Sequence, residues 1–567
     1  MESNWEAGLA EVRKGFWRRH TWVKWFAGGL LLAVLVAGVA ADVALHRVEP
    51  FLRARIVEEL ENRFHARVEL DSFHISMVDG LWAEGKGLRI WLPAHMADDA
   101  VVTNPAGAVT PEPLIQLAEF RFHAPLELKP GEPIHISAVQ LKGLNIYLPP
   151  KSHFEQTAKE GAGSPEAGVN SSGAEALVSF EVVTIECTDA DLVMETSNPG
   201  KLPMEFKIAH FNLTNVASDH AMGFDAELTN PRPQGTIETT GSFGPLHGAD
   251  LGDAPLAGEY RFDHADLSGF KGIAGILSST GQYQGTLRDM TVDGQTQTPD
   301  FRLTHFGTAL PLTTRFHARV DGTNGDTWLD NVDATLGHSH LTAQGQIVRV
   351  PVANIAGAQQ YAGHDIALTV NADKARIEDF LRLTSHSGSV LLTGDVAMKA
   401  TLHIPPGPKP VYERLTMNGG FVLDKARFTT TKIQGRIAEL SLRGQGRPEE
   451  LKTTDPESIL SRMQSSFQMA CGVVTLPALD YTVPGAKIEL KGTYGMEGGA
   501  LDFDGSAKLE ATVSKMVGGW KGLLLSPADR YFKRDGAGTE VPIRVGGTRE
   551  EPMFAIDFDR LKPAEKQ

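Results

Sequence analysis

From Val68 almost to its end the chain alternates apolar and polar residues in short runs broken by Gly, Asn-Pro or Asp-Gly. A two-residue period sends successive side chains to opposite faces of an extended strand, and such punctuation marks turns. Residues 86–93, KGLRIWLP, and 142–149, KGLNIYLP, nearly repeat one another. Leu88, Ile90 and Leu92 are predicted to share one strand face, as are Leu144, Ile146 and Leu148, with Trp91 and Tyr147 pointing the other way. The longest alternation is LDFDGSAKLEATV, residues 501–513. It predicts one ribbon of about 43 Å, with Leu501, Phe503, Gly505, Ala507, Leu509, Ala511 and Val513 on its apolar face. Many strands of this design imply a mainly β fold whose apolar side must be covered by something.

Helical periodicity is sparse. Phe51, Leu52, Ile56, Leu60 and Phe64 are spaced as one helix face, and Pro50 suits a first turn, so a helix is predicted over about 50–64. It would lie near a membrane surface or cap the end of a sheet. DKARIEDFLRL, residues 373–383, predicts a second helix with Ile377, Phe380 and Leu381 on one face. Asp455 and Pro456 form a cap and first position, and Ile459, Leu460, Met463 and Phe467 follow as a stripe, predicting a third. Residues 151–176 contain almost no large apolar groups and read as a flexible linker or insertion; residues 93–113 read as a second loop.

One segment departs from all this. Residues 25–41, WFAGGLLLAVLVAGVAA, carry no charge and continue past Asp42 to Leu45. That length crosses about 30 Å of hydrocarbon as a helix. Trp25, Phe26, Leu30, Leu31, Leu32, Val34, Leu35 and Val36 supply its apolar surface. Arg13, Lys14, Arg18, Arg19 and Lys24 precede it, which predicts a single-pass anchor with a cytoplasmic segment 1–24 and everything after residue 45 exported. The small residues Val39, Ala40 and Ala41 admit a second reading, a cleaved signal peptide; the length of the apolar run favours retention.

Composition narrows the chemistry. A formal charge of −16 over 567 residues argues against nucleic acid as a partner. Cys187 and Cys471 are too few for a disulfide framework, and read either as one long-range bridge or as two small apolar side chains. GLWAEGKG, residues 80–87, has phosphate-loop spacing, but Gly87 stands where Ser or Thr holds magnesium. DGTNGD, residues 321–326, reads as a hairpin turn rather than a calcium loop. His338 and His340 flank Ser339 with no third ligand nearby. No catalytic, cofactor or metal motif emerges, so the chain is not read as an enzyme.

The membrane helix, then VEPFLRARIVEELENRFHARVELDSFHIS over 48–76, then a glycine-punctuated β body, resembles the AsmA family of Gram-negative envelope proteins. GTYGMEGGALDFDGSAKLEATVSKMVGGWKGLLLSP is similar to the AsmA-like C-terminal region. Pro542, Ile543, Val545, Gly547, Thr548, Pro552 and Phe554 carry the same ending. The resemblance implies a bridge-like lipid transfer protein of the TamB type. On that basis the bacterial inner membrane holds the anchor and the periplasm the bulk of the chain. The fold it implies is an elongated, twisted antiparallel sheet forming a trough, with a few short capping helices. An AsmA- or chorein-like start would occupy 46–150, and an elongated body with the C-terminal region 177–567. Phospholipid acyl chains would then supply the missing second layer, sparing each CH₂ about 0.8 kcal/mol of exposure. Leu88, Ile90, Leu144, Ile146, Leu501, Phe503, Leu509 and Val513 are the candidate groove residues. About 12 residues per strand and turn predicts roughly 40 strands and a span on the order of 190 Å. The alternative is a scaffold or assembly factor for outer-membrane or other envelope proteins, acting without lipid conduction.

Overall fold

The computed structural model describes most of 49–91, then 113–124, 134–148, 180–194, 204–216, 220–245, most of 253–350, 363–385, 390–517, and 538–556 apart from 550. The anchor 25–45 and the linker 151–176 lie outside the described residues. Among those described, no helix is long and apolar enough to cross a membrane. The chain divides into two compact units, 1–217 and 218–567. Both are mainly β, with 26 strands among the described residues, fewer and longer than the sequence rhythm predicts.

Unit 1 holds β1 (Val68–Glu69), β2 (Ser72–Ser76), β3 (Leu81–Ile90), β4 (Ile115–Ala124), β5 (Ile134–Ile136), β6 (Ala138–Leu148), β7 (Phe180–Met194) and β8 (Met204–Val216). β3, β4 and β6 pair antiparallel in sequence order, and β7 pairs antiparallel with β8. β5 and β6, however, pair parallel with β7. The predicted all-antiparallel sheet is thus corrected to a mixed one. The reason is the long connection from residue 149 to 179, since parallel neighbours need a crossover of a dozen residues or more. The helical segment within 49–61 packs Ile56 and Val57 on buried Leu70, Phe73 and Ala83. That is the sheet-capping role.

Unit 2 is a meander. Its strands are β9 (Met222–Pro231), β10 (Gln234–Phe243), β11 (Pro255–Asp266), the two-residue β12 (Ile273–Ala274), β13 (Ile276–Thr286), β14 (Met290–Leu303), β15 (Leu310–Asp321), β16 (Asp326–Leu336) and β17 (Ser339–Val350). They continue as β18 (Gly363–Arg376), β19 (Leu392–Ile404), β20 (Thr416–Phe428), β21 (Ser461–Ala470), β22 (Val473–Val483), β23 (Ala486–Gly495), β24 (Leu501–Leu509), β25 (Thr539–Gly547) and β26 (Pro552–Ile556). Apart from β12, which adds to β14, each pairs antiparallel with the next in the chain. The strands therefore run between two rims of turns. One rim carries α1 (Ile377–Leu383), α3 (Thr431–Gly444) and α4 (Val513–Val517); the other carries α2 (Val411–Arg414).

Three sequence expectations are corrected here. Residues 461–470 form β21, not a helix, and only Pro456–Ser458 makes a 3₁₀ turn, capped by Asp455 through Glu457 N–H. The pair Met463 and Phe467 is four apart, which fits a helix stripe and a strand face equally. Buried Ser461, Ser465 and Met469, alternating with exposed Arg462, Gln464, Ser466 and Gln468, decide for the strand. Second, residues 373–376 belong to β18, and α1 begins only at Ile377. Third, the ribbon predicted over 501–513 stops at Leu509, and Val513 opens α4 instead of extending the apolar face. The DGTNGD stretch does join β15 to β16 as a hairpin.

Candidate functional site

In unit 1 the two KGL repeats turn out to be neighbours of one strand. β4 lies between β3 and β6, and register aligns Leu88 with Leu117 and Leu144, and Ile90 with Ile115 and Ile146. The second row runs on through Leu192 to Phe206. On the flanking side of the repeats two further rows follow: Gly85, Phe120, Leu141, Cys187, Phe211, and Ala83, Phe122, Val139, Ile185, Leu213. The alternate positions are polar, as in Arg89, Gln116, Asn145, Asp191 and Lys207. All five strands thus carry one apolar and one polar face.

These rows do not follow simple alternation, since Gly85 and Leu88 differ in parity. The switch is made at the glycine of each repeat. Gly87 and Gly143 have φ of +68° and +65°, and Asp189 on β7 has φ 54° at the same level. Pairing skips this level in each adjoining pair, from Gly87 opposite Ala118 through to β8. A residue in this conformation reverses the side to which the next residue points. Glycine is required at both positions, because a Cβ on Gly87 would fall 2.0 Å from Asp71 Oδ2 and one on Gly143 2.9 Å from Ala118 Cβ. The echo in the sequence is therefore a seam that keeps the apolar face continuous.

Unit 2 extends the same design. Following register from β9 gives Phe224, Gly241, Gly258, Tyr283, Val292 and Ala318, without a polar side chain. The row continues as Leu329, Gly345, Leu368, Leu402, Met417 and Met469, and ends with Val474, Tyr494 and Leu501 on β24. The neighbouring row on the other face reads Asp225, Thr240, Glu259, Gln282, Asp293 and His317. Ion pairs along and across strands tie the polar face elsewhere, for example Glu489 between Lys487 of its own strand and Lys508 of β24, each 2.8 Å away. These charges hold the Glu489 carboxyl below its usual range.

Glycines on the apolar face let it bend. Cβ atoms placed on Gly258, Gly281, Gly294 and Gly492 would collide with Tyr283, Tyr260, Phe316 and Phe503 respectively. Each aromatic ring thus lies on the floor of a neighbouring glycine. The tyrosine hydroxyls are tied down: Tyr283 OH pairs with Thr239 Oγ1 at 2.6 Å and Tyr260 OH with Ser279 Oγ at 3.0 Å. Burial pushes both phenols above their ordinary value. A polar recess of about 700 Å³ around Gly281 and Gly294 is lined by Glu238, Glu259, Arg261, Asp293 and Arg315, which belong to the opposite face.

Among the described residues helices seal part of the apolar face. α1 lays Ile377 and Phe380 on a cluster of Ala372, Ala375, Val396, Leu423 and Ala426. α3 lays Ile437 and Leu440 on Tyr481, Val483, Ala486, Ile488 and Ala507. Buried Gln434 fixes α3, accepting from Phe428 N–H and donating to the carbonyls of Pro456 and Ile459. Burial under this cover pushes the Tyr481 phenol up to about 12. α1 is held by buried Asp379, whose Oδ2 accepts from Ser339 Oγ at 2.7 Å and from His338 N–H at 2.9 Å. Leu329, Leu368, Leu402 and Met417, nearer the other rim, belong to none of these clusters and stay half-buried.

The eight candidate residues sort accordingly. Leu88, Ile90, Leu144 and Ile146 come together on one face, but Leu88 packs on the cluster that Ile56 and Val57 join and Ile90 is buried, so protein covers that end of it. Leu501 closes the long row, and Phe503 is buried beside it. Leu509 packs under α3, so protein covers it. Val513 lies in α4, off the strand altogether. His338 sits in the turn before β17 and is exposed, while His340 pairs with Asp333. Among the described residues no cluster of His, Cys, Asp or Glu has metal-binding geometry. Cys187 is buried and free; Cys471 is free but exposed, in the turn after β21. Sequence reading missed the half-buried lane Leu329, Leu368, Leu402 and Met417, whose signal was alternation centred on glycines in adjacent strands. No protein-family model, curated protein or solved structure matches the chain.

Proposed function

We propose that the chain is an envelope lipid-handling protein of the kind the AsmA resemblance implies, anchored in the inner membrane, whose apolar sheet faces cradle phospholipid acyl chains. In this reading each face is one side of a trough and acyl chains are its second layer. The observation that carries it is the apolar row through fifteen successive strands of unit 2, from Phe224 to Leu501, part of which no helix covers among the described residues. An ordinary two-layer domain covers such a face with protein. Transport by this route needs no covalent step. Energetically it is a lowered barrier between leaving one bilayer and entering another.

The test is site-specific photo-crosslinking in cells labelled with radioactive phosphate. A photoreactive residue replacing Leu368, on the apolar face, is expected to capture phospholipid; the same residue replacing Ala367, its neighbour on the polar face, is not. Equal capture at both, or capture at neither, refutes the reading.

One observation favours the scaffold alternative. β26 pairs only with β25 among the described residues, and Met553 and Phe554 on it are 66% and 52% exposed. Such an edge suits strand addition by a partner protein. A protein captured from a photoreactive residue at Phe554, with no lipid captured at Leu368, is the result this alternative requires.

A further inference from the structure

Among the described residues the two rims of unit 2 touch each other at two places. Gly272, in the turn between β11 and β13, packs against Val411 of α2, in the turn between β19 and β20; a Cβ on Gly272 would lie 3.3 Å from Val411 Cβ. Arg549, between β25 and β26, donates from Nη1 to the Thr384 carbonyl at 3.1 Å, just past α1 between β18 and β19. In both cases the turns belong to opposite rims. In both cases they stand seven places apart in the strand order. Laid flat, seven strands would separate them by about 34 Å. At about 20–25° of twist per strand, seven steps turn the strand direction through roughly 140–175°. Twist therefore turns one rim to face the other, curling of the sheet closes the remaining distance, and the contacts recur at the interval at which the two combine.

We propose that lipid enters unit 2 sideways, through the slit between its rims, and that the Gly272–Val411 and Arg549–Thr384 contacts are clasps holding that slit shut. This rests on the lipid-handling reading above. Both clasps are local. The first is van der Waals contact between Gly272 and the Val411 side chain, and the second includes Arg549 bonds to a main-chain carbonyl and, at 3.4 Å, to Tyr494 OH. Neither has the buried cluster that fastens α1 or α3 to the sheet. The turn bearing α2 is stiffened along its own length: Arg414 donates to the carbonyls of Lys409 and Pro405, and Pro405, Pro406, Pro408 and Pro410 lie within it. Such a turn moves as one piece, as a latch does.

The experiment joins or loosens the clasps. The full chain is reconstituted in vesicles and offered donor vesicles of phosphatidylethanolamine and phosphatidylglycerol carrying a fluorescent phospholipid, and the rate of loading is followed. In the double variant Gly272→Cys, Val411→Cys, the Cβ separation of 3.3 Å needs only a slight widening to reach disulfide range. Oxidation is expected to slow loading at least 10-fold, and reductant to restore it. Arg549→Gln is expected to load several-fold faster than the parent chain. Because Gly272 has φ +107°, the cysteine there is strained, and Arg549→Gln gives an arm independent of that strain. Unchanged loading in either folded variant overturns the sideways entry. Failure of the parent chain to load at all instead refutes the lipid-handling reading, which keeps the two outcomes distinct.

Discussion

Two residues of the same apolar face, Ile488 and Leu368, are predicted to respond oppositely to the same substitution. Ile488 is 9% exposed and lies under α3 with Tyr481, Val483 and Ala507. Leu368 is half-buried on β18, between Gly345 and Leu402 in the uncovered lane. Ile488→Glu gives up about 2 kcal/mol of apolar burial and adds the cost of a carboxylate with no partner, at least another ~2 kcal/mol. The total of about 4 kcal/mol, at about 2 °C per kcal/mol for a unit of this size, lowers the melting temperature by roughly 8 °C. Leu368→Glu leaves its carboxylate in water while the groove is empty, so the expected melting change is under about 2 °C. What it loses is acyl contact over one leucine-sized patch. That is about 2 kcal/mol, or roughly 30-fold in lipid affinity. Differential scanning calorimetry and a lipid-binding titration on both variants read the two quantities separately. If Leu368→Glu melts as early as Ile488→Glu, the lane is a sealed core and the reasoning fails. Unchanged lipid affinity in Leu368→Glu would do the same.

Gly143→Val is expected to destabilise unit 1 by at least about 2 kcal/mol, because it forces a β-branched residue to φ +65° against Ala118; hydrogen exchange of β4 and β6 measures it. Tyr481 is a neutral acid whose folded pKa, about 12, exceeds its unfolded value, so its contribution is intact below about pH 10 and is lost as pH rises toward 12. Chemical unfolding at pH 9 and pH 11.5 should show a loss of order 2 kcal/mol that Tyr481→Phe abolishes, along with one late-titrating phenol. Asp379→Ala leaves the His338 N–H without this acceptor and the Ser339 hydroxyl with only its Arg376 partners, and should cost about 1–3 kcal/mol, with protease cleavage near α1 as the readout.

The strand rhythm was legible because each strand alternates by itself, and register then stacks like on like. What was hidden is what depends on backbone handedness or on partners far along the chain. Nothing in KGL announces that glycine will flip the face, since φ above zero is set by pairing with strands distant in the chain, and Asp189 adopts it at the same level. α3 escaped notice because Thr429, Thr430 and Thr431 lead into it as a strand would, and Gly435 interrupts it. Its Ile433, Ile437 and Leu440 spacing was the available signal. β21 was misread for the converse reason, a four-residue interval that suits both periods. Which apolar stretches end up under a helix, such as Leu509, follows from α1, α3 and the rims, and no local pattern records it.

Because unit 2 is a meander in which each main strand meets only its successor, its size is adjustable by whole hairpins. Inserting two strands lengthens the array by about 10 Å, restores the chain direction, and leaves the parity of every other strand untouched. A single added strand would instead send all that follows to the wrong rim. The length of the array is therefore a countable property of its gene, changed in hairpin-sized increments by duplication, much as a ladder is extended by adding rungs in pairs.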